Sequence, residues 1–286
     1  MQVNDSQYLN FIQQGLALAR QLPPHFSRYA NKVYTTHQHL LVLVLKQKLK
    51  TTYRGIIELL NICPAVCKRI SLTQVPHHTT LIKFAKKLNG KLLSLLFTQR
   101  KAHTVAVDAT GFEMEMRSFY FRTVWNSERM WKTHEFTKLS IAIDTTQQTI
   151  LRYVIRRKRR HDTLDFQRLV RDLDVAYVVA DKGYDSKKNR NFVLHTLHAM
   201  PIIPMRWHRN FYGYNKGKRK INGENYHQRS KVETVFSVIK RKYGSVLRAR
   251  SFAAQQVEVI CKLIAYNVDR MTTLSMLLIR GFQQSL

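Results

Sequence analysis

The sequence predicts an α/β protein in which a mixed sheet flanked by helices follows an all-helical N-terminal region. Three observations lead there. Apolar residues recur at helical spacing through about the first 100 residues. After Lys101 the apolar period drops to two. The unbroken apolar run from Val175 to Ala180 reads as a strand covered on both faces.

Taken in order, Thr35 to Lys50 and Leu81 to Phe97 carry helical spacing, the second ending at polar Gln99-Arg-Lys101. Between them, Tyr53 to Leu60 reads as a short amphipathic helix, and Pro64 and Pro76 interrupt the pattern. His77-His-Thr-Thr-Leu81 opens the next helix, with Thr79 or Thr80 near its start. Two short helices and a turn resemble a helix-turn-helix, whose second helix could enter a major groove. Any small helical bundle gives the same pattern.

Thr104 to Asp108 alternates as a first strand. Leu139, Ile141 and Ile143 mark a second, and Leu151, Tyr153 and Ile155 a third, with Thr145 to Gln148 turning between the last two. Asp162 and Asp165 read as a helix start leading into Phe166 to Leu173, with Asp162 as the cap. After the Val175 strand, Ser186 starts a helix to about His198. Met200-Pro-Ile-Ile-Pro204 fits only a short or edge strand. A helix around Glu233 follows, then a final one from about Ala253 with Val257, Ile260, Ile264, Val268 and Met271 on one face. The natural division is 1–100, helical, and 101–286, the sheet with its C-terminal helix.

Composition narrows the partners. The 286 residues are 44% hydrophobic, enough for a packed core. Lys and Arg number 48 against 18 Asp and Glu, and 48−18 gives +30, with pI near 10.4. Such a surplus points to nucleic acid, where neutralising phosphates releases counterions. An anionic membrane surface is the rival partner, but no basic amphipathic helix with an aromatic anchor supports it. Leu40 to Leu45 is far shorter than the ~20 residues that cross a bilayer. No signal peptide follows the polar start, so the expectation is a cytoplasmic, nucleoid-associated protein. Cys63, Cys67 and Cys261 give no disulfide framework, and Cys63-x3-Cys67 with His77 and His78 is poorly spaced for zinc.

The densest chemical signal is Tyr226-x2-Arg229-x3-Glu233-x6-Lys240. On one helix those steps return to nearly the same side, putting a phenol, guanidinium, carboxylate and ammonium together. Val232, Val235, Phe236 and Ile239 form the adjacent apolar stripe that would anchor it. Arg229 and Glu233 alone could be a plain surface ion pair. With Asp108 and Asp181 ending their strands, in the sheet region where α/β proteins collect ligands, the three acids suit a metal site. Carboxylates so placed can hold two Mg²⁺ ions, or Mn²⁺ in their place, about 3.5–4 Å apart and working on phosphate. Gly183, two residues after Asp181, lets the backbone turn sharply. Glu113, Glu115 and Asp144 fall in hairpin regions and read as structural or solvated.

Two basic runs complete the reading. Arg156-Arg157-Lys158-Arg159-Arg160 could be a solvated strand end, but its density favours phosphate contact. Arg206 to Tyr214, followed by Lys216 and Lys218-Arg219-Lys220, interleaves aromatics with bases. Trp207 and Phe211 there suit stacking on unpaired bases, or burial.

Asp108 after an apolar strand, Asp181-x-Gly183-Tyr184, and the Tyr226-to-Lys240 signature together resemble the DDE transposases of prokaryotic insertion sequences. The resemblance covers roughly residues 100 to 245. The helical region from Tyr53 to Leu88 also looks like the one these proteins carry upstream. The resemblance implies an RNase H-like catalytic core and a metal-binding, catalytic triad of Asp108, Asp181 and Glu233. It implies that Tyr226, Arg229 and Lys240 contact phosphates at the element's end. The implied activity is metal-dependent cleavage at insertion-sequence ends and strand transfer into target DNA. The implied partners are terminal inverted repeats, target DNA and a second copy of the chain, since two ends must be paired. A non-catalytic DNA-binding relative and an RNase H-like ribonuclease are the alternative expectations. Some relatives insert a large β domain before the glutamate; here 233−181 leaves only 52 residues, so no role needing that domain carries over.

Overall fold

The computed structural model describes residues 7–29, 31–114, 136–157, 161–205 and 226–284. The chain forms two compact units, Met1–Thr98 with Ile239–Leu286, and Gln99–Val238. The sequence reading divided the chain once, near residue 100. In the structure the C-terminal segment groups with the N-terminal helices instead.

The first unit is helical. Its elements are α1 (Gln7–Ala19), α2 (Thr36–Lys48), α3 (Tyr53–Ile62), α4 (Pro64–Arg69), α5 (His78–Lys87) and α6 (Gly90–Ser94). Thr35 caps α2 in a capping box with Gln38, so two otherwise orphaned donors are satisfied. Pro64 opens α4 at its first turn, where a missing N–H costs nothing. The expected helix from Leu81 to Phe97 is two helices. Leu88 is extended, and the Asn89 side chain accepts from Leu92 N–H at 2.8 Å to start α6 afresh. The C-terminal helix packs on α1, α2, α5 and α6 because Val257, Val259, Ile260, Leu263, Ile264 and Val268 are all buried.

The second unit carries the sheet: β1 (Lys101–Met114), β2 (Phe136–Asp144), β3 (Ile150–Arg156), β4 (Asp174–Ala180) and β5 (Met200–Ile202), in the order β3-β2-β1-β4-β5. β1 to β3 are antiparallel neighbours, whereas β4 runs parallel to β1 and β5 parallel to β4. A mixed sheet flanked by helices and preceded by a helical region is the architecture the sequence predicts. β2 is buried from Thr137 to Asp144 on both faces, so its sequence alternation hides a central strand. α7 (Thr163–Val170) lies on β2 and β3. Phe166, Leu169 and Val170 join Val105, Val107, Leu151, Val178 and Tyr184 in one core cluster. Burying a side chain such as Phe166 stabilises the fold by about 1.5–3 kcal/mol. A 3₁₀ turn (Lys182–Tyr184), α8 (Lys187–Asn191) and a π turn (Phe192–Thr196) lead to β5. Then α9 (Ser230–Tyr243) crosses from this unit into the first, before β6 (Val246–Leu247) and the C-terminal helix α10 (Phe252–Gln284). Among the described residues, no helix is long and apolar enough to cross a membrane.

Candidate active site

The β1–β4 ladder decides where two of the acids stand. Its last register pair is Val107 with Ala180, so Asp108 and Asp181 are the next residues of two adjacent parallel strands. The two strands are roughly one strand spacing, about 4.8 Å, apart where Val107 and Ala180 pair. Asp108 does not end its strand, as the sequence suggested. β1 continues to Met114, paired with β2, and Asp108 faces Ile141 in that ladder. What ends at Asp108 is the parallel pairing, because the other strand turns away after Ala180. The site is still the carboxyl end of a parallel pair.

Each aspartate commits one oxygen locally. Asp108 Oδ1 accepts from Ala109 N–H at 2.8 Å, and Asp181 Oδ1 accepts from Lys182 N–H at 2.7 Å as cap of the 3₁₀ turn. Their second oxygens are left to face the site. Burial raises the Asp108 pKa; Ala109 N–H and Arg229 oppose this, and the neighbouring Asp181 and Glu233 add to it.

The third acid arrives on α9. Val232, Val235, Phe236 and Ile239 are buried, which fixes the helix as the apolar stripe predicts. Tyr226 and Arg229 are not on that helix. Tyr226 sits in a preceding helical turn with His227, and Arg229 lies in the tight turn before α9, with Arg229 N–H donating to the Tyr226 carbonyl and Val232 N–H to the Arg229 carbonyl, each at 3.0 Å. Arg229 nonetheless reaches both acids: Nη2 lies 2.8 Å from Glu233 Oε1 and Nη1 lies 3.6 Å from Asp108 Oδ2. Partial burial disfavours its charge, but Glu233, Tyr226, Asp108 and Asp181 outweigh that and raise its pKa. Lys240 stands two turns further along α9.

Residues 99–268 match the family described as Transposase DDE domain. The chain belongs to this family. Its fold also resembles a piggyBac transposase seen by cryo-EM in a synaptic complex with hairpin DNA, with a TM-score of 0.53 and 9% identity over 92% of this chain and 74% of that one. At that identity the likeness concerns fold alone. No curated protein matches the chain.

Within this DDE domain, the donor chemistry fits a hard divalent cation, since Asp108, Asp181 and Glu233 offer only oxygen. The surroundings fit as well. Gly183 has no positive φ, so the sharp-turn role expected of it is not needed. Its missing side chain instead leaves room beside Asp181, because a Cβ there would lie 3.9 Å from Asp181 Oδ2. The Tyr184 hydroxyl is buried and has no hydrogen-bond partner among the described residues. Yet the described residues contain no cluster of three His, Cys, Asp or Glu close enough to hold a metal. The Arg229 guanidinium bridges Asp108 and Glu233 instead.

The basic residues of this DDE transposase divide. Arg156 Nε and Nη2 both donate to Asp165 Oδ1, at 3.2 and 2.8 Å, and Asp165 is fully buried. That guanidinium is a structural partner first, contrary to the phosphate contact expected of it. Arg157 is exposed. Lys158, Arg159, Arg160, Trp207, Lys218, Arg219 and Lys220 lie outside the described residues, as does Glu115. Glu113 is exposed, whereas Asp144 is buried and accepts from Gln99 and Thr146, both as structural readings allow. Asp162 is not the side-chain cap the sequence suggested. Its own backbone is already helical (φ −61°, ψ −35°) and its carboxylate pairs with Lys138. Sequence reasoning missed Lys138, which carries no motif.

Proposed function

We propose that this DDE transposase cleaves DNA strands at the ends of an insertion sequence and joins the freed 3′-hydroxyls to target DNA. The supporting observation is the adjacency of Asp108 and Asp181 at the end of one parallel ladder, with Glu233 tied to Asp108 through Arg229. Asp108 and Asp181 would hold divalent ions, Mg²⁺ or Mn²⁺, with Glu233 completing the set. Bound there, such ions activate a water or 3′-hydroxyl and stabilise the leaving oxygen.

Arg229 acts as the exchangeable member. Without DNA its guanidinium neutralises Asp108 and Glu233. A DNA phosphate offers it a bidentate acceptor of better geometry, and the move frees both carboxylates. Tyr226 and Lys240 add a phenol and an ammonium for the same backbone. Exposed Lys83, Lys86 and Lys87 on α5 give the N-terminal helices a basic face for DNA, while Leu81, Phe84 and Leu88 pin the helix from behind. The +30 charge supplies sequence-independent affinity. The piggyBac likeness, a complex containing DNA, agrees with a DNA partner, and pairing two ends calls for at least a dimer.

The test is strand cleavage of DNA carrying the element's terminal repeats, with and without Mg²⁺. Cleavage should need the ion and be lost in Asp108→Ala, Asp181→Ala and Glu233→Ala, with DNA binding nearly intact. Cleavage surviving in purified Asp181→Ala counts against the reading. The satisfied Arg229 favours a second reading, a non-catalytic DNA-binding chain. Such a chain would bind the same DNA and fail to cut it, with or without a divalent ion.

A further inference from the structure

We propose that the loop from Gly244 to Ser251 is a preorganised contact for the sugar–phosphate backbone of duplex DNA, with Arg248 and Arg250 as its phosphate-binding groups. It deepens the proposed function and rests on the DNA partner of that reading, not on its metal chemistry.

The loop lies between α9 and α10, within the helical unit. Three side chains of α10 hold its backbone, and their steps of three and four residues put them on one helix face. Gln255, Glu258 and Lys262 are 3%, 8% and 1% exposed. Lys262 Nζ donates to the Gly244 and Val246 carbonyls at 2.8 and 3.1 Å. Glu258 Oε2 accepts from Arg248 N–H at 3.1 Å and from Ala249 N–H at 2.9 Å. Gln255 Nε2 donates to the Ala249 carbonyl at 3.1 Å. Gly244 permits the turn out of α9, since its φ of +89° is one that residues with side chains rarely adopt.

Loops that only connect helices run over the surface and leave such groups to water. Burying a lysine and a glutamate is unfavourable unless both are paired, and here both are paired to this loop. What the fixed backbone presents is two arginines. Arg248 and Arg250 are exposed and two residues apart, directly after the buried Leu247. Among the described residues, neither guanidinium has a hydrogen-bond or ion-pair partner. A planar fork carried on an ordered loop meets phosphate with little further ordering cost. The local charge agrees. Burial lowers the Lys262 pKa to about 8; Glu258 opposes this, and Lys46, Arg248 and Lys50 add to it. One carboxylate thus stands among four cations, an imbalance that a polyanion relieves.

The experiment measures affinity of the full chain for duplex DNA of arbitrary sequence over a range of salt concentrations, with melting temperature as the folding control. Wild type is compared with Arg248→Gln, Arg250→Gln, their double variant, and the double variant Arg248→Lys with Arg250→Lys. A further control, Arg20→Gln with Lys32→Gln, loses the same charge at two other exposed positions. Each glutamine should flatten the slope of log affinity against log salt by about 0.9, and the pair by about 1.8. The lysine pair, which keeps the charge, should keep the slope. If the double glutamine variant does not fold, the single variants carry the comparison. A wild-type slope in the folded glutamine variants overturns the proposal and leaves the proposed function untouched. Equal flattening in the Arg20 and Lys32 control also overturns it, because net charge alone would then account for the effect. A wild-type chain with no affinity for duplex DNA overturns the proposed function and this proposal together.

Discussion

Arg229 and Asp108 face each other 3.6 Å apart, Nη1 to Oδ2, while the same guanidinium donates to Glu233 at 2.8 Å. Two acids of the proposed metal site are thus held together by a cation belonging to the chain itself. Arg229→Gln removes it. The exposed Arg229–Glu233 pair is worth under about 1 kcal/mol, so the melting temperature should hardly move. Binding to DNA ends, read by gel shift, should weaken and cleavage should fall. Arg229→Lys should not restore either, since an ammonium cannot bridge two acceptors in a planar fork. A Lys variant with full activity would remove the exchange role.

Asp108 is a source of pH dependence. Its folded pKa is raised, chiefly by burial, so its contribution to stability is present below the ordinary value of 3.8 and is lost as pH rises through the folded pKa. At neutral pH and without divalent ions the ionised form is a net cost. Asp108→Asn should therefore melt higher than wild type at pH 7, and the gap should close as pH falls toward 3.8. Adding Mn²⁺ should stabilise wild type only. A variant less stable than wild type at pH 7 contradicts the assignment.

Arg156 and Arg157 are sequence neighbours with opposite expected phenotypes. Arg156→Ala leaves the fully buried Asp165 carboxylate uncompensated, which costs about 3–5 kcal/mol and should show as a large drop in chemical-denaturation midpoint. Exposed Arg157→Ala should change stability by under about 0.5 kcal/mol and lower DNA affinity in a salt-dependent way.

His39 gives the helical unit an acid limb. Its ring lies against Tyr34 and Phe84, with centroids 4.9 and 4.7 Å away, and burial lowers its pKa to about 4. A lowered folded pKa means stability present above 6.5 and lost as pH falls through about 4. Among the described residues its Nε2 has no hydrogen-bond partner, so His39→Phe sacrifices none there. The variant should flatten the fall in melting temperature between pH 6.5 and 4. An unchanged profile places the acid sensitivity elsewhere.

Some elements were legible because a local rule specified them. Thr35 with Gln38 is a capping box in sequence and in space. Val175 to Ala180 is an inner strand with Val175 and Val178 to Ala180 buried, but Ala176 is exposed and Tyr177 half-buried, so the apolar run gave the strand without its being covered on both faces throughout. Asp108, Asp181 and Glu233 were legible as candidates because strand ends and an anchored helix bring acids to a predictable edge. Other features were not. The break at Leu88 depends on Asn89 winning its own cap over helix continuation. The turn at Gln228 and Arg229 separates Tyr226 from α9, although the spacing of the signature is helical throughout.

The sequence by itself determined the α/β class, the helical N-terminal region, and which acids and bases are available to a phosphate-handling site. Periodicity and strand-end chemistry are local properties. Tertiary structure alone decided how each charge is partnered. Arg156 lies against Asp165, Lys138 against Asp162, and Arg229 against both Asp108 and Glu233. Those pairings join different elements, and in a chain with this many basic residues the choice among them is made by ladder register and burial. Neither is written in the spacing of the residues concerned.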